Sequence, residues 1–317
     1  MGARAAVARV TGWLLAAAVA AGIILRWSTV NRPLLIGLVG VLGLALLAPL
    51  AALAGTAWRT GSRPLRGAAA LLVLAYLGTF GNVRAVIGCG ADSPADGDVR
   101  IFLQNVYVGQ ADPAAVAAAM VASGADVAVL VEAWPPFRDA LARQPGVDVF
   151  SYRLSVPGFE DSEIAVWSRW PLADVTGERL STRPFVRAEV QTPAGPFTIG
   201  AIHTAAPTSD REVANWSDGL AGLGLIDRSE PIVLAGDFNA TIDHAQFRRL
   251  LENGWTDVHT TKGCGFDQTW PVGRGIGIPV MRLDHVLVSD QFEVKAVEVG
   301  PANGSDHKSV IATIHLR

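Results

Sequence analysis

The sequence predicts an α/β domain preceded by a membrane anchor of three transmembrane helices. Residues 1–90 contain eight arginines and no acidic residue, whereas all 29 aspartates and glutamates lie from Asp92 onward. The mean hydropathy of the chain is positive, at +0.32, which is typical of a protein with a membrane part. Beyond the anchor, strand-like and helix-like segments alternate over about 225 residues, as in a mixed sheet covered by helices.

Three apolar runs in residues 1–90 are each interpreted as a transmembrane helix. They extend from Val10 to Leu25, from Pro33 to Ala57 and from Gly67 to Val83. A bilayer core needs about 20 apolar residues per helix, so the second run can cross alone and the other two need their flanking residues. A cleaved signal peptide is the alternative for the first run, and three runs without an acidic residue argue against it.

The arginines of the anchor predict its orientation. Five lie before the first helix or between the second and third, two lie between the first and second, and the eighth, Arg84, lies near the outer end of the third. Since cytoplasmic loops carry more positive charge, the chain after Cys89 is expected outside the cell, in a multi-pass cell-membrane protein. An oxidising compartment would allow a disulfide between Cys89 and Cys264, and two unrelated thiols are the alternative.

Glycines at positions 37, 40 and 43 place small residues along the second predicted helix. Small residues allow close helix contact, but glycine is also common in membrane helices that make no such contact. Both interpretations stay open.

The remaining chain divides into a linker, residues 91–98, and a domain, residues 99–317. The linker is acidic and rich in glycine, proline and aspartate. Strands are predicted at Val99–Val106, Val127–Val131, Glu163–Ser168, Phe185–Gln191, Phe197–His203, Ile232–Ala235, Leu283–Val288, Val294–Val299 and Val310–His315. Helices are predicted at Ala114–Ser123, Pro135–Arg143, Arg211–Ile226 and Ala245–Glu252.

Polar residues at the ends of predicted strands are the candidate site residues. A sheet holds such side chains rigidly, and the adjoining loops can admit a substrate. Taken alone, such a residue is more often part of a turn or a helix cap than a ligand. Together, in this order along the chain, they indicate one shared site. They are Asn105, Glu132, His203, Asp237, Asn239, Asp284, Asp306 and His307.

This ordered set resembles the motifs of the endonuclease/exonuclease/phosphatase family, which includes neutral sphingomyelinases and inositol-polyphosphate phosphatases. The segments Gly236–Asn239 (Gly-Asp-Phe-Asn) and Ser305–His307 (Ser-Asp-His) carry much of the resemblance, and Ser168–Leu172 is similar to the family's Ser-Arg-x-Pro turn. The resemblance implies a four-layered α/β sandwich, two sheets flanked by helices, with the site at one end of the sheets. Two departures concern substrate contacts: Val131 replaces a frequent glutamine, and Glu163–Ala165 replaces a frequent Gly-Asn-Ala.

The resemblance also implies roles for the residues. Glu132 and Asp306 are expected to bind Mg²⁺ or Mn²⁺, with Asn105 close by, because these cations prefer oxygen ligands. Asp237 is expected to orient or deprotonate the attacking water, and Asn239 to hold that water or a phosphoryl oxygen. The remaining roles fall to His307, as base or phosphate donor, to Asp284, which orients it, and to His203, as a second donor.

Two further histidine expectations come from the residues themselves. His285 follows Asp284 on a strand and is therefore expected on the opposite face, away from the site. The histidines at 244, 259 and 315 have no motif partners and are interpreted as surface or structural residues.

The domain's charge bears on the substrate. Beyond residue 90 there are 26 − 8 = 18 basic and 29 acidic residues, a formal charge of −11, which argues against nucleic acid as a partner. The membrane bilayer and a phosphorylated lipid substrate are expected instead. The layout resembles a membrane-bound subgroup linked to glycopeptide-antibiotic resistance, for which undecaprenyl diphosphate is the proposed substrate.

Two alternatives to a lipid phosphatase remain. A membrane-tethered nuclease or sphingomyelinase-type phosphodiesterase would use the same core residues, and a catalytically silent binding module would have no chemical need for them. Trp134 and Phe137 follow Glu132 closely and are expected to seat the mouth of the site against lipid, with burial in the core as the alternative.

Overall fold

Two six-stranded mixed sheets stacked face to face form the centre of the computed structural model, which describes residues 2–79, 89–93, 95–154, 163–265, 267–275 and 277–317. The strands are β1 Asp98–Asn105, β2 Val127–Val131, β3 Tyr152–Arg153, β4 Ile164–Ser168, β5 Leu172–Leu180, β6 Arg183–Thr192, β7 Gly195–His203, β8 Ile232–Asp237, β9 Thr256–Asp257, β10 Asp284–Val288, β11 Phe292–Val299 and β12 Val310–Leu316. The helices are α1 Gly2–Trp27, α2 Pro33–Ala45, α3 Leu47–Thr60, α4 Arg63–Gly78, α5 Pro113–Ala122, α6 Pro135–Ala142, α7 Asp210–Gly224, α8 Ala245–Glu252 and α9 Val258–Lys262.

Each sheet contains a central parallel pair that places polar residues at one edge. The first sheet has the order β11-β12-β1-β2-β4-β3 and the second β5-β6-β7-β8-β10-β9. β1 runs parallel to β2, and β7 runs parallel to β8, so that His203 lies beside Asp237 at the ends of their strands. β10 is antiparallel to β8, and its first residue, Asp284, also pairs with Asp237.

Side chains alternate along each strand between the core that separates the sheets and the helices outside them. In β1, Ile101 and Leu103 face the core between the sheets, while Phe102 faces the helices α5 and α6 on the outside. In β8, Val233 points to the inter-sheet core and Leu234 packs towards α7 and α8. Helices thus cover the outer face of both sheets. The predicted sandwich of two sheets flanked by helices is confirmed.

Some elements were not predicted, and β5 is the longest of them. None of its residues is buried, because it lies at the edge of its sheet, and it includes Gly177 and the exposed polar pair Glu178 and Arg179. An edge strand buries less apolar surface, and its sequence therefore carries a weaker signal. The short elements β3, β9 and α9 were missed for the related reason of length.

The prediction of three uninterrupted spanning helices needs correction. Within the described residues, only α1 is long and apolar enough to cross a membrane alone. The second predicted span is broken at Leu46 into α2 and α3, which are bent by 51°. Pro49 explains the break, because a proline ring clashes with the carbonyl four residues earlier, here that of Ala45. The third span corresponds to α4, and its predicted end at Val83 lies outside the described residues.

The N-terminal helices pack directly on the sandwich. Arg26, at the end of α1, forms a buried ion pair with Asp243, and the other carboxylate oxygen of Asp243 accepts a 2.8 Å hydrogen bond from the Gly43 amide of α2. A Cβ at Gly43 would lie 2.6 Å from that oxygen, so only glycine allows this approach. His244 and Arg248 add hydrogen bonds to the carbonyls of Ile36 and Arg26.

A disulfide joins Cys89 to Cys264, as one of the two alternatives for these residues predicted. Next to it, the amide of Gly90 donates to the Lys262 carbonyl, and Lys262 pairs with Asp92 at 2.6 Å. The start of the predicted linker is therefore fastened to the domain on the side of α9.

Candidate active site

An amide from the first sheet connects two carboxylates across the sandwich. The Nδ2 atom of Asn105, at the end of β1, donates to Glu132 at 3.0 Å and to Asp237 at 3.1 Å. The Oδ1 atom of Asn105 accepts from the amide of Tyr107, and the second Glu132 oxygen accepts from the amide of Val108 at 2.6 Å. These bonds fix the carboxylates of both sheets relative to each other.

Unusual backbone conformations occur at this site. Glu132 and Asn239 have φ angles of 59° and 46°, in the left-handed region that non-glycine residues rarely adopt. Such conformations cost about 1–3 kcal/mol each and concentrate at functional sites. Three residues before Asn239, a Cβ at Gly236 would lie 1.9 Å from the Ile202 carbonyl oxygen. The Gly-Asp-Phe-Asn motif therefore needs its glycine because the two strands lie so close together.

His307 and Asp284 form a buried acid–histidine pair. The distance from His307 Nδ1 to the Asp284 carboxylate is 2.8 Å, and His307 Nε2 lies 3.9 Å from Asp237. Because the carboxylate can only accept, Nδ1 carries a proton, and Nε2 faces the site. Burial lowers the pKa of His307, but the neighbouring Asp284 and Asp237 carboxylates outweigh it and raise the pKa to about 9. This favours donation from His307 over proton acceptance.

His203 belongs to a second acid–histidine pair, which the sequence did not predict. Its Nδ1 lies 2.7 Å from Glu163, while its Nε2 lies 3.7 Å from Glu132 and 4.0 Å from Asp237. Arg183 approaches the same Glu163 oxygen at 3.4 Å. Burial lowers the pKa of His203, but the Glu163 hydrogen bond and the surrounding carboxylates raise it overall. The two pairs thus direct their Nε2 atoms at Asp237 from either side.

Most of these side chains line one cavity of about 670 Å³. Asp237 is almost completely buried at its base, and burial raises the pKa of its carboxyl group. Asn239 donates to the Thr204 carbonyl at 3.1 Å, and Asp306 accepts from Trp270 and pairs with Arg274, each at 3.3 Å. The predicted site residues that line the cavity are Glu132, His203, Asp237, Asn239, Asp306 and His307.

The donor chemistry of this cavity suits a hard divalent cation. Glu132, Asp237 and Asp306 present carboxylate oxygens to one space, and Mg²⁺ and Mn²⁺ prefer oxygen ligands. Among the described residues, Asp237, Asp284 and His307 also bring one ligand atom each within 4.8 Å of one another. The bond between His307 and Asp284 makes these two residues an oriented pair.

The structure also shows where three other residues of the sequence analysis lie. His285 packs between Phe238 and Phe247 and bonds to Asp257, on the face away from the cavity. Trp134 lines the cavity and is 39% exposed, whereas Phe137, in α6, is only 4% exposed and packs in the cluster between the helices and the first sheet. The expectation that Phe137 touches lipid is therefore wrong, because its ring fills the core beside the first sheet.

Comparison with known proteins identifies the class. The model of the Endonuclease/Exonuclease/phosphatase family matches residues 103–307, and the chain therefore belongs to this family. The matched segment begins in β1 and ends at His307, so it contains every candidate residue described above. A search of curated proteins found no match.

Solved structures share the fold at low identity. An endonuclease/exonuclease/phosphatase from Beutenbergia cavernae is 21% identical with a TM-score of 0.55, and the match covers 69% of this chain and 72% of that one. D. rerio TDP2 complexed with a single-strand DNA product is 15% identical with a TM-score of 0.57, over 69% of this chain and all of that chain. At these identities the similarity shows the fold alone.

Glu163 is expected to position His203. Glu163→Ala should lower kcat roughly 10-fold with little change in KM, because His203 loses the partner that holds its ring. Glu163→Gln keeps an acceptor oxygen and should recover part of the loss. Glu178→Gln, on the edge strand β5, is the control. Steady-state kinetics of the wild type and the three variants measure these changes in kcat and KM. A Glu163→Ala enzyme with unchanged kcat would exclude the positioning role.

Proposed function

We propose that this protein is a membrane-attached, divalent-cation-dependent phosphoesterase that hydrolyses phosphorylated lipids outside the cytoplasm. The observation that carries the phosphoesterase assignment is the convergence of two acid–histidine pairs on Asp237 in one cavity. Family membership supports hydrolysis of a phosphoester bond. The substrate proposed here is a polyprenyl diphosphate, with undecaprenyl diphosphate as the leading candidate.

Glu132 and Asp306 would hold the cation, with Asn105 fixing the Glu132 carboxylate beside it. When bound, Mg²⁺ or Mn²⁺ supplies positive charge to the phosphoryl oxygens and lowers the pKa of a bound water. The carboxylates and amides of this site are suited to this role because they are hard oxygen donors.

Asp237 would orient the attacking water and accept its proton. Its buried carboxyl group has a raised pKa, which makes the carboxylate a stronger base than a solvated aspartate. Water oxygen then bonds to phosphorus while the bond from phosphorus to the leaving oxygen breaks. Asn239 lies next to Asp237, where its amide can hold the water or a phosphoryl oxygen.

The two histidines would stabilise the charge that develops on the phosphoryl group. Each is fixed at Nδ1 by a carboxylate, so each directs its Nε2 atom at the cavity, and this atom carries a proton when the ring is protonated. Donors that are oriented before the reaction stabilise a transition state more effectively than mobile ones. The raised pKa of both rings favours the protonated, donating form.

Membrane attachment rests on the N-terminal helices. α1 is long and apolar enough to cross a bilayer, and α2 and α3 together form a bent apolar segment. The arginine distribution supports the placement of the domain outside the cytoplasm. A protein anchored in this way meets lipid substrates by diffusion within the membrane.

A membrane-tethered nuclease or sphingomyelinase-type enzyme is the second candidate. The fold is shared with D. rerio TDP2, whose structure contains a DNA product. The formal charge of −11 beyond residue 90 opposes a polyanionic substrate. In the described part of the chain, the arginines that line the cavity are Arg183 and Arg274, and they already pair with Glu163 and Asp306.

Removal of the cation tests the chemistry. EDTA should abolish phosphate release from a diphosphate substrate, and excess Mg²⁺ or Mn²⁺ should restore it, because the cation supplies the charge that neutralises the phosphoryl oxygens. Inductively coupled plasma analysis of the purified protein identifies the metal that remains bound. Phosphate release that is indifferent to EDTA would remove the cation from the mechanism.

Protease accessibility tests the location. A protease added to spheroplasts should cleave within the domain that follows Asp92, since the arginine count places this domain outside. Lysed spheroplasts give the fully accessible control. Protection of the domain until lysis would place it in the cytoplasm and contradict the proposed topology.

A further inference from the structure

Two chemically different groups of side chains line the same cavity. The first group consists of acidic and histidine side chains, among them Asp237. The second group consists of Pro33, Leu34, Ile36 and Gly37, from the first turns of α2. α2 contains no polar or charged side chain, since its sequence is PLLIGLVGVLGLA. An apolar wall from the N-terminal segment therefore borders the same cavity as the catalytic side chains.

This wall is held in place by the catalytic domain. The amide of Thr241 donates to His244 Nδ1, so the other ring nitrogen carries the proton and donates to the Ile36 carbonyl at 2.9 Å. His244 itself lines the cavity, and Met281 does so beside it. The bond from Gly43 to Asp243 fixes the far end of α2. The position of the wall relative to Asp237 is thus set by hydrogen bonds as well as by packing.

Space is open on the cavity side of the wall. A Cβ added at Gly37 would meet no atom within 4 Å, unlike one added at Gly40 or Gly43. Leu34 and Leu38 are 89% and 45% exposed, so the apolar surface of α2 continues outward from the cavity. A nucleic acid or a headgroup rich in hydroxyls would leave this surface unmatched. A hydrocarbon chain gains affinity with each methylene group that it buries here.

We infer that α2 forms the binding wall for the hydrocarbon chain of the substrate, which lies against Leu34 and Gly37 while the phosphate group lies at Asp237. This inference rests on the proposed function and specifies which part of the chain selects a lipid. The N-terminal segment is then both an anchor and a part of the active site.

Photo-crosslinking tests whether a hydrocarbon chain binds along α2, and it does not require the protein to hydrolyse the probe. The full-length protein in detergent is irradiated with dodecyl phosphate that carries a diazirine in its chain. Adducts should map to the first two turns of α2 and should decrease when excess unlabelled dodecyl phosphate is added. Gly37→Trp should suppress them. Gly55→Trp should not, because Gly55 in α3 has equally open surroundings but lies outside the cavity. Adducts confined to other helices, or adducts that resist competition, would overturn the inference.

Hydrolysis provides the second readout. Gly37→Trp should lower kcat/KM for farnesyl diphosphate about 10-fold while leaving isopentenyl diphosphate, with its short chain, nearly unchanged. Leu34→Ser should act in the same direction, and Leu71→Ser is its control, since Leu71 in α4 is also mostly exposed. Equal effects on both substrates would contradict the wall. If the wild-type protein hydrolyses neither diphosphate but crosslinks through α2, the proposed function fails and the binding wall stands.

Discussion

Asp237→Asn is expected to lower kcat at least about 100-fold, the scale of a positioned acid–base group. Asparagine keeps the size of the side chain and can still accept from the Asn239 amide, so the fold should persist. The substitution removes the carboxylate on which His203, His307 and Asn105 converge. Because the negative charge is lost, the attacking water has no acceptor for its proton.

A matched control separates catalysis from folding. Asp112→Asn replaces the N-cap residue of α5, outside the cavity, with an equally good cap, and it should leave turnover unchanged. Circular dichroism and thermal unfolding should be alike in the wild type and both variants. A folded Asp237→Asn protein with near-normal kcat would reject the assignment of Asp237.

His307→Ala is expected to have an effect of similar size, at least about 100-fold on kcat, because a donor aimed at the developing charge is lost. Asp284→Asn should cause a smaller loss, since the ring remains but its orientation is less fixed. His315→Ala is the matched control, as His315 also pairs with a carboxylate, Asp98 at 2.9 Å, outside the cavity. Comparable kcat values for the His307 and His315 variants would exclude a catalytic role for His307.

Much of the fold and the site could be predicted because the signals are local. Buried strands such as Val127–Val131 are continuous apolar runs, and the polar residues that follow them are confined to one edge of the sheets. The order of these residues along the chain then identified the family.

The role of Glu163 could not be predicted in the same way. The sequence showed it only as a departure from the family's usual Gly-Asn-Ala. Its bond to His203 joins residues 40 positions apart, from the residue that precedes β4 of the first sheet to the end of β7 in the second. Such a contact depends on how the two sheets stack, which neither periodicity nor motif spacing encodes.

The N-terminal segment shows a different limit. Residues 33–57 contain no charged residue, so α2 and α3 were predicted as one span although Pro49 marked the break. Hydropathy also does not distinguish an apolar face that contacts lipid from one that lines a cavity. Gly37, Gly40 and Gly43 have three different environments: open space, the His244 and Met281 side chains, and the Asp243 carboxylate.

The most direct test of the account is phosphate release from undecaprenyl diphosphate by the purified full-length protein with Mg²⁺ in detergent micelles. The measurement is made in parallel with DNA and sphingomyelin, and the Asp237→Asn protein provides the blank. We expect release of phosphate from the polyprenyl diphosphate, its loss in Asp237→Asn, and little cleavage of the other two. Ready cleavage of DNA or sphingomyelin, with the polyprenyl diphosphate left intact, would contradict the proposed function.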